Sequence, residues 1–241
     1  MTRYGMVIDL QRCTGCGACI VACKNENNLP EGISWSDKIA ETEGTFPNVR
    51  YTYIPTLCNH CDNAPCVSGC PTEAMHYGEN GIVVHNPQKC IGCRYCMARC
   101  PYGAIQFNWE DPHEAWKQET ALIAEGTASP VEVTEKVGGN VIPYYNPAPE
   151  ATYTGLRRRG VVEKCNFCAH RLAEGELPYC VEACPADARI FGDLDDPDSE
   201  ISQILAKFKA TRLREEEGTE PKVFYVREFN RSRYEKTKGG L

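Results

Sequence analysis

The sequence predicts an α+β fold in which one small module occurs twice and is joined to a long insertion and a C-terminal extension. Three observations predict it. All 16 cysteines fall into four groups of four. A Cys-Pro pair is followed by a short strand pattern three times, at Pro71, Pro101 and Pro185. Residues 109–159 contain no cysteine and are rich in proline, glycine, tyrosine and charge.

Composition narrows the class of protein. The 241 residues suffice for one or two compact domains, and 42% hydrophobic with 24% charged residues is typical of a globular chain. The net charge of −7 argues against nucleic acid as a partner, because phosphate binding requires a basic surface. No apolar run approaches the ~20 residues of a membrane-spanning helix. The opening "MTRYGMVIDLQRC" lacks a basic region, an apolar run and a twin arginine, so no signal peptide is expected.

The spacing of the cysteine groups indicates [4Fe–4S] clusters. Groups one and three are C-x2-C-x2-C-x3-C, the run found in bacterial ferredoxins. Groups two and four widen one gap to four and eleven residues. Three thiolates on a tight loop can reach one cluster, while the fourth, expected at the start of a helix, ligates another cluster in two-cluster ferredoxins. The groups are Cys13, Cys16, Cys19 and Cys23; Cys58, Cys61, Cys66 and Cys70; Cys90, Cys93, Cys96 and Cys100; and Cys165, Cys168, Cys180 and Cys184.

Three other readings of the cysteines are weaker. Zinc sites commonly pair two C-x2-C knuckles and do not use C-x2-C-x2-C-x3-C-P. Disulfides would require an oxidising compartment, and C-x2-C thiols would close only small, strained loops. Buried thiols acting as small apolar groups do not explain the regular grouping.

Secondary structure is predicted from local patterns in chain order. "ACIVACKNENN" predicts a helix that carries Cys19 and Cys23, and a helix follows Ser199 as its N-cap, with an apolar stripe. The strands are "YGMVIDL", "RYTYIPTL", two within "AMHYGENGIVVHN", "GAIQF", "ARIFGDL" and "PKVFYVREF".

These elements define two ferredoxin-like [4Fe–4S] modules. Residues 1–50 with 160–198 hold groups one and four, and residues 51–108 hold groups two and three. Residues 109–159 form an insertion that we expect to be a docking surface, because it is too long for a simple connector. Residues 199–241 form a C-terminal helix, a strand and a tail.

Side chains beside the groups are interpreted as structural. His60 and His170 are expected to pack or hydrogen-bond rather than ligate iron. The sequence has no phosphate-binding glycine loop, no H-E-x-x-H and no G-x-S-x-G, so no catalytic residue is predicted. Six cations within or beside the groups are each expected to be solvated, while together they offset cluster charge: Lys24, Lys89, Arg94, Arg99, Lys164 and Arg171.

Beyond these patterns, the chain resembles the iron–sulfur electron-transfer subunits of the dimethyl-sulfoxide-reductase superfamily. The resemblance rests on "MVIDLQRCTGCGACIVACK", "CNHCDNAPCVSGCPTEAM" and the widened fourth group. The stretches "WSDKIAETEGTFPNVRYTYIPTLCNHCDNAPCV", "PHEAWKQE" and "DARIFGDLDDPDSEISQ" look like the small subunit of respiratory arsenate reductases. The one irregularity in the cysteine groups is Lys24, where the other groups have proline.

The resemblance implies how cysteines are shared between groups. Each cluster takes three cysteines of one group and the last cysteine of its mate. We call the implied ligand quartets set one (Cys13, Cys16, Cys19, Cys184), set two (Cys58, Cys61, Cys66, Cys100), set three (Cys90, Cys93, Cys96, Cys70) and set four (Cys165, Cys168, Cys180, Cys23).

The resemblance also implies partners, location and reaction. A large catalytic subunit would hold molybdenum in a bis-pterin guanine dinucleotide and face groups one and four. The middle groups would face a membrane quinol-oxidising subunit or a cytochrome-type donor. The complex would reduce arsenate at the periplasmic or outer face of the membrane, exported by its catalytic subunit. Arsenite oxidase-like, polysulfide, tetrathionate and dimethyl sulfoxide reductase complexes are the alternatives, and a free polyferredoxin is a more distant one.

Overall fold

The fold combines one four-stranded sheet, three two-stranded ribbons and short helices. The computed structural model describes residues 2–30, 32–78, 80–110, 128–138 and 158–227. The strands are β1 (Tyr4–Asp9), β2 (Ser36–Thr45), β3 (Asn48–Leu57), β4 (Met75–Tyr77), β5 (Val83–His85), β6 (Ile105–Phe107), β7 (Val162–Lys164), β8 (Arg189–Asp193), β9 (Ala210–Thr211) and β10 (Val223–Val226). The helices are α1 (Ala18–Glu26), α2 (Pro65–Ser68), α3 (Tyr95–Arg99), α4 (Pro130–Lys136), α5 (Ala169–Ala173), α6 (Tyr179–Glu182) and α7 (Glu200–Lys207), with a 3₁₀ turn at Glu215–Glu217.

The four-stranded sheet has the order β8-β1-β10-β9. Strand β1 runs parallel to β10 and antiparallel to β8. It is apolar along nearly its whole length because both of its faces are covered. Val7 packs with Ile201 of α7 on one face, while Met6 and Ile8 belong to the core on the other. The C-terminal helix after Ser199 and the strand after Pro221 are therefore confirmed as parts of this sheet layer.

Each cysteine group ends in a helix, but the helix begins one residue before the third cysteine rather than at the fourth. Cys66, Cys96 and Cys180 lie in α2, α3 and α6, and Cys100 is the extended C-cap residue that follows α3. The prediction that the fourth cysteine starts a helix is wrong. The reason is the proline that follows it, since a residue before proline is disfavoured in the α conformation.

Group one departs from this pattern, and the departure explains Lys24. Helix α1 continues past Cys23 to Glu26, so a proline at position 24 would interrupt it. Lys24 instead donates from Nζ to the carbonyl oxygens of Pro30 (3.1 Å) and Ile33 (2.8 Å). The lysine thus fixes the chain that leaves the helix.

The β2–β3 hairpin was only half predicted. Its ten-residue register runs from Ser36 opposite Leu57 to Thr45 opposite Asn48. The predicted strand "RYTYIPTL" is confirmed within β3, but β2, "SDKIAETEGT", carries no strand signal. Its side chains beyond Ser36 are mostly exposed, so no apolar alternation marks it.

The two predicted modules share a strand pair. Strand β6, inside 51–108, pairs antiparallel with β7, which lies just beyond residue 160. Glu163 of β7 also accepts hydrogen bonds from Trp35 Nε1 (3.0 Å) and Asn108 Nδ2 (2.9 Å). The modules are therefore joined by backbone and buried side-chain hydrogen bonds.

The insertion and the tail fall mostly outside the described residues. Of residues 109–159, the structure describes 109–110, the segment around α4, and 158–159. Helix α4 begins with a capping box, in which Ser129 Oγ accepts from Glu132 N at 3.2 Å. The expected docking role concerns 109–159, most of which lies outside the described residues, and the expected tail "NRSRYEKTKGGL" lies wholly outside them. Among the described helices, none is long and apolar enough to cross a membrane.

Candidate metal centres

Set one surrounds a cavity at the start of α1. Its four cysteines line an empty volume of about 450 Å³, part of it open to solvent. Gly15, at φ 69°, lets the loop lie against the Tyr53 ring, where an added Cβ would come within 2.4 Å. Lys38 Nζ donates to the Gly15 carbonyl at 2.6 Å. Cys16 is exposed, so this centre reaches the protein surface.

Set four is buried. Its cysteines line an empty volume of about 310 Å³, which includes some open solvent, together with Trp35, Ser36 and Phe167. Burial raises the pKa of the Cys23 thiol well above its ordinary value, and the Cys165, Cys180 and Cys168 thiols raise it further. Cys23 from α1 therefore lies at one cavity with three cysteines of group four.

Set two is also largely buried. Its cysteines line an empty volume of about 330 Å³, which includes some open solvent and is also lined by His60 and Tyr102. Burial, with the Cys58 thiol next, raises the pKa of Cys66 to about 12. Cys100 belongs to group three in sequence, but it lines this cavity with the cysteines of group two.

Set three lies at the second core cluster, in which Cys70 and Cys90 pack against residues that include Cys96. Burial, followed by the Cys90 thiol, raises the pKa of Cys96 to about 11, and Cys70 and Cys93 contribute in the same direction. Cys93 is exposed. Thus Cys70 of group two faces the cysteines of group three, reciprocating the position of Cys100.

The donors around these thiols suit anionic sulfur. Backbone amides donate to Cys70 Sγ from Met75 (3.5 Å), to Cys165 Sγ from Phe167 (3.4 Å) and to Cys184 Sγ from Ala188 (3.3 Å). Hydrogen bonds to the charged form favour a thiolate, which is the ligand that an iron–sulfur cluster requires. In the part of the chain that the structure describes, no group of three or more His, Cys, Asp or Glu could hold a single metal ion.

The four sets form a row. Sets one and four are adjacent because α1 carries Cys19 of one and Cys23 of the other. The His60 ring, at the cavity of set two, stacks on Phe167, at the cavity of set four, with 3.8 Å between centroids. Sets two and three exchange Cys70 and Cys100. The order is therefore one, four, two, three, with exposed cysteines only in the two end sets.

Buried cations near the sets were not foreseen. Lys164 was predicted to be solvated, but it is 4% exposed and donates to the Cys165 carbonyl at 2.9 Å and to the Val83 carbonyl. Arg189 and Lys222 are 3% and 1% exposed and were not singled out from the sequence. The sequence does contain a hint that Arg189 is buried. Its strand follows a Cys-Pro pair, and the residues on either side of it are apolar.

The two histidines behave as expected, packing or hydrogen-bonding. Burial, and then the charges of Lys164 and Lys222, hold the pKa of His60 well below its ordinary value, so the stacked ring is neutral. His170 Nε2 lies 2.7 Å from Glu26 Oε1, which ties α5 to α1.

Two family models match the chain. A model described as a 4Fe-4S dicluster domain matches residues 49–139 and 115–194, and one described as a 4Fe-4S binding domain matches residues 4–25. These matches, with the mixed helices and strands, are consistent with the predicted ferredoxin-like modules.

Curated relatives extend over most of the chain. The arsenate respiratory reductase iron–sulfur subunit of Shewanella sp. is 53% identical over 94% of this chain and 97% of its own length. A putative dimethyl sulfoxide reductase iron–sulfur subunit of Halobacterium salinarum is 41% identical, covering 94% of this chain and 79% of the relative. A selenate reductase subunit of Mesobacillus selenatarsenatis is 40% identical, covering 93% of this chain and 72% of the relative.

Proposed function

This chain belongs to the iron–sulfur subunits of the dimethyl-sulfoxide-reductase superfamily, and from that premise we propose that it relays electrons through four [4Fe–4S] clusters to a molybdopterin catalytic subunit. Each cluster, when bound, supplies a one-electron redox centre. The observation that carries the proposal is the row of four cysteine quartets with exposed cysteines at its two ends. A row with buried middle centres and exposed ends can take electrons at one surface and deliver them at another.

The chain's own residues would hold and shield these centres. We propose that sets one to four are the ligand quartets, each with three cysteines from one group and one from its mate. Backbone amides to Cys70, Cys165 and Cys184 would stabilise the ligand sulfurs. Aromatic packing of His60 on Phe167 would exclude water between sets two and four.

The chemical reaction belongs, in this proposal, to the partner. The catalytic subunit would carry molybdenum bis-pterin guanine dinucleotide and would face set one, whose Cys16 is exposed. A membrane quinol-oxidising subunit or a cytochrome-type donor would face set three, whose Cys93 is exposed. The complex would stand at the periplasmic or outer face of the cytoplasmic membrane, exported with its catalytic subunit.

Arsenate is the acceptor that we propose, with arsenite as the product. Support comes from the 53% identity to the Shewanella arsenate reductase subunit, compared with 41% and 40% for the dimethyl sulfoxide and selenate relatives. The same relay role in an arsenite oxidase-like, polysulfide, tetrathionate or dimethyl sulfoxide reductase complex is the alternative. A free polyferredoxin is disfavoured by the additional β1–β10 sheet layer and α7, which cluster binding alone does not require.

The test is an activity assay on the chain purified with its large subunit. Reduced viologen is offered arsenate, tetrathionate and polysulfide in parallel, and the large subunit alone serves as the control. Oxidation of viologen with arsenate only is the expected result. Turnover with a sulfur compound and none with arsenate would support the electron-relay role but contradict arsenate as the acceptor. Purification without any large subunit would favour the free polyferredoxin.

A further inference from the structure

A buried guanidinium lies between the cavities of sets one and four. Arg189, in β8, lines the cavity of set one. Its Nη2 donates to Ser36 Oγ at 3.0 Å, and Ser36 lines the cavity of set four. Because the side chain is 3% exposed, water screens its charge only weakly. The two neighbouring centres therefore share one cation.

The charge of Arg189 lacks a carboxylate partner within the described residues. Its contacts there include Ser36 Oγ and the Met6 sulfur at 4.0 Å, while Nε has no hydrogen-bond partner. Lys222 provides the contrast, since it is equally buried but pairs with Asp62 at 3.0 Å. An unpaired buried cation is costly, so Arg189 needs anionic sulfur as its counter-charge.

Thiols of both sets face this cation. Burial acts to lower the pKa of Arg189, but the Cys180 and Cys19 thiols outweigh it and raise that pKa. Arg189 and Cys19 line the same cavity, and Ser36, to which Arg189 donates, lines the other cavity with Cys180, so the guanidinium lies beside both quartets.

We propose that Arg189 is a positioning residue that raises the reduction potentials of the clusters on sets one and four together, an inference that rests on the proposed function. One arriving electron changes the total charge of a cluster and its thiolates from about −2 to about −3. A fixed positive charge stabilises the more negative, reduced state of a nearby cluster. Electron transfer from the cluster on set two to the clusters on sets four and one therefore becomes more favourable. Arg189 thereby favours electron flow from set two toward the exposed end at set one.

The test is a redox titration of the anaerobically purified, cluster-loaded complex, followed by electron paramagnetic resonance. In Arg189→Gln, two of the four cluster signals should require a lower potential for reduction. We expect about a tenfold smaller reduced-to-oxidised ratio at fixed potential, which is about 59 mV for a one-electron couple. The other two signals should not move. Arg189→Lys should lie near the wild type, because it retains the charge.

A second, milder variant tests the inference if the Arg189→Gln protein does not assemble its clusters. Ser36→Ala removes the hydrogen bond that orients the guanidinium and should shift the same two signals by a smaller factor. Unchanged potentials in a fully loaded Arg189→Gln or Ser36→Ala protein, or an equal shift of all four signals, would overturn the inference. A wild-type complex without [4Fe–4S] signals would instead overturn the proposed function, so the two failures are distinguishable.

Discussion

The imidazole of His60 stacks on the phenyl ring of Phe167 with 3.8 Å between ring centroids and 29° between ring planes. This contact joins a loop of group two to a loop of group four, 107 residues apart in sequence. It is the packing contact that connects the two inner centres. Both rings are fully buried, so this junction between the modules is part of the packed interior.

Removing the Phe167 ring should destabilise this junction. Phe167→Ala is expected to lower the free energy of unfolding by about 3–5 kcal/mol, because it leaves a cavity among His60 and Phe191. Anaerobic denaturant titration measures it. The matched control is Phe46→Ala at the hairpin tip, where the side chain is 92% exposed and a change within about 0.5 kcal/mol is expected. Equal losses in the two variants would contradict the assigned packing.

The exchange of cysteines between groups two and three predicts an unusual mutational pattern. Because Cys100 lines the cavity with Cys58, Cys61 and Cys66, Cys100→Ser should alter the same cluster signal as Cys58→Ser. It should leave intact the signal that Cys96→Ser alters. Electron paramagnetic resonance of the three loaded variants makes the comparison. If Cys100→Ser instead matched Cys96→Ser, the quartets would follow sequence groups and the proposed sets would be wrong.

Lys164 should raise the potential of the centre on set two. Its charge opposes the burial that raises the pKa of Cys66, so it acts on that quartet. Lys164→Met is expected to lower the midpoint potential of one inner cluster by tens of millivolts, with about 59 mV corresponding to a tenfold ratio. The exposed Lys89 supplies the control, since Lys89→Met changes a solvated charge. Equal shifts of the midpoint potential in the two variants would show that the buried position of Lys164 does not strengthen its effect on the cluster.

His85 should make folding stability depend on pH. Burial, followed by the charges of Lys164 and His76, lowers the pKa of His85 from 6.5 to about 4. The unfolded chain therefore takes up a proton before the folded one does. The stability contributed by neutral His85 is complete above pH 6.5 and is lost as the pH falls toward about 4.

The measurement compares unfolding free energies at pH 7.5 and 5.5. From the shift, His85 alone should cost the wild type about 1 kcal/mol between these two pH values. His85→Asn should remove that part of the loss, because its amide does not titrate. A variant with the same pH dependence as the wild type would show that His85 is not the group responsible.

Local signals in the sequence predicted the local parts of the structure. The cysteine spacings, the strand "YGMVIDL" and the helix capped by Ser199 depend on neighbours in the chain, and the last two are confirmed. The proposed sharing of Cys70 and Cys100 depends on contacts between groups, so only the family resemblance implied it. Strand β2 was missed because its polar side chains pack little, and its pairing with β3 decides its conformation.

The buried cations were missed for a different reason. Composition treats a lysine or arginine as a surface residue, and that expectation holds for Lys89 and Arg94. It fails for Lys164 and Arg189, whose side chains are buried because their strands lie beside the cysteine quartets. An anionic centre reverses the usual preference, but its position is known only after the fold brings distant groups together.

Iron and acid-labile sulfide content of the anaerobically purified chain tests the central claim most directly. Four [4Fe–4S] clusters on the 16 cysteines predict about sixteen irons and about sixteen sulfides per chain, with no stoichiometric zinc. A colourless preparation that contains zinc and no sulfide would contradict the account. About twelve irons and about twelve sulfides per chain would show that one of the four proposed quartets holds no cluster, which would contradict a continuous row of four.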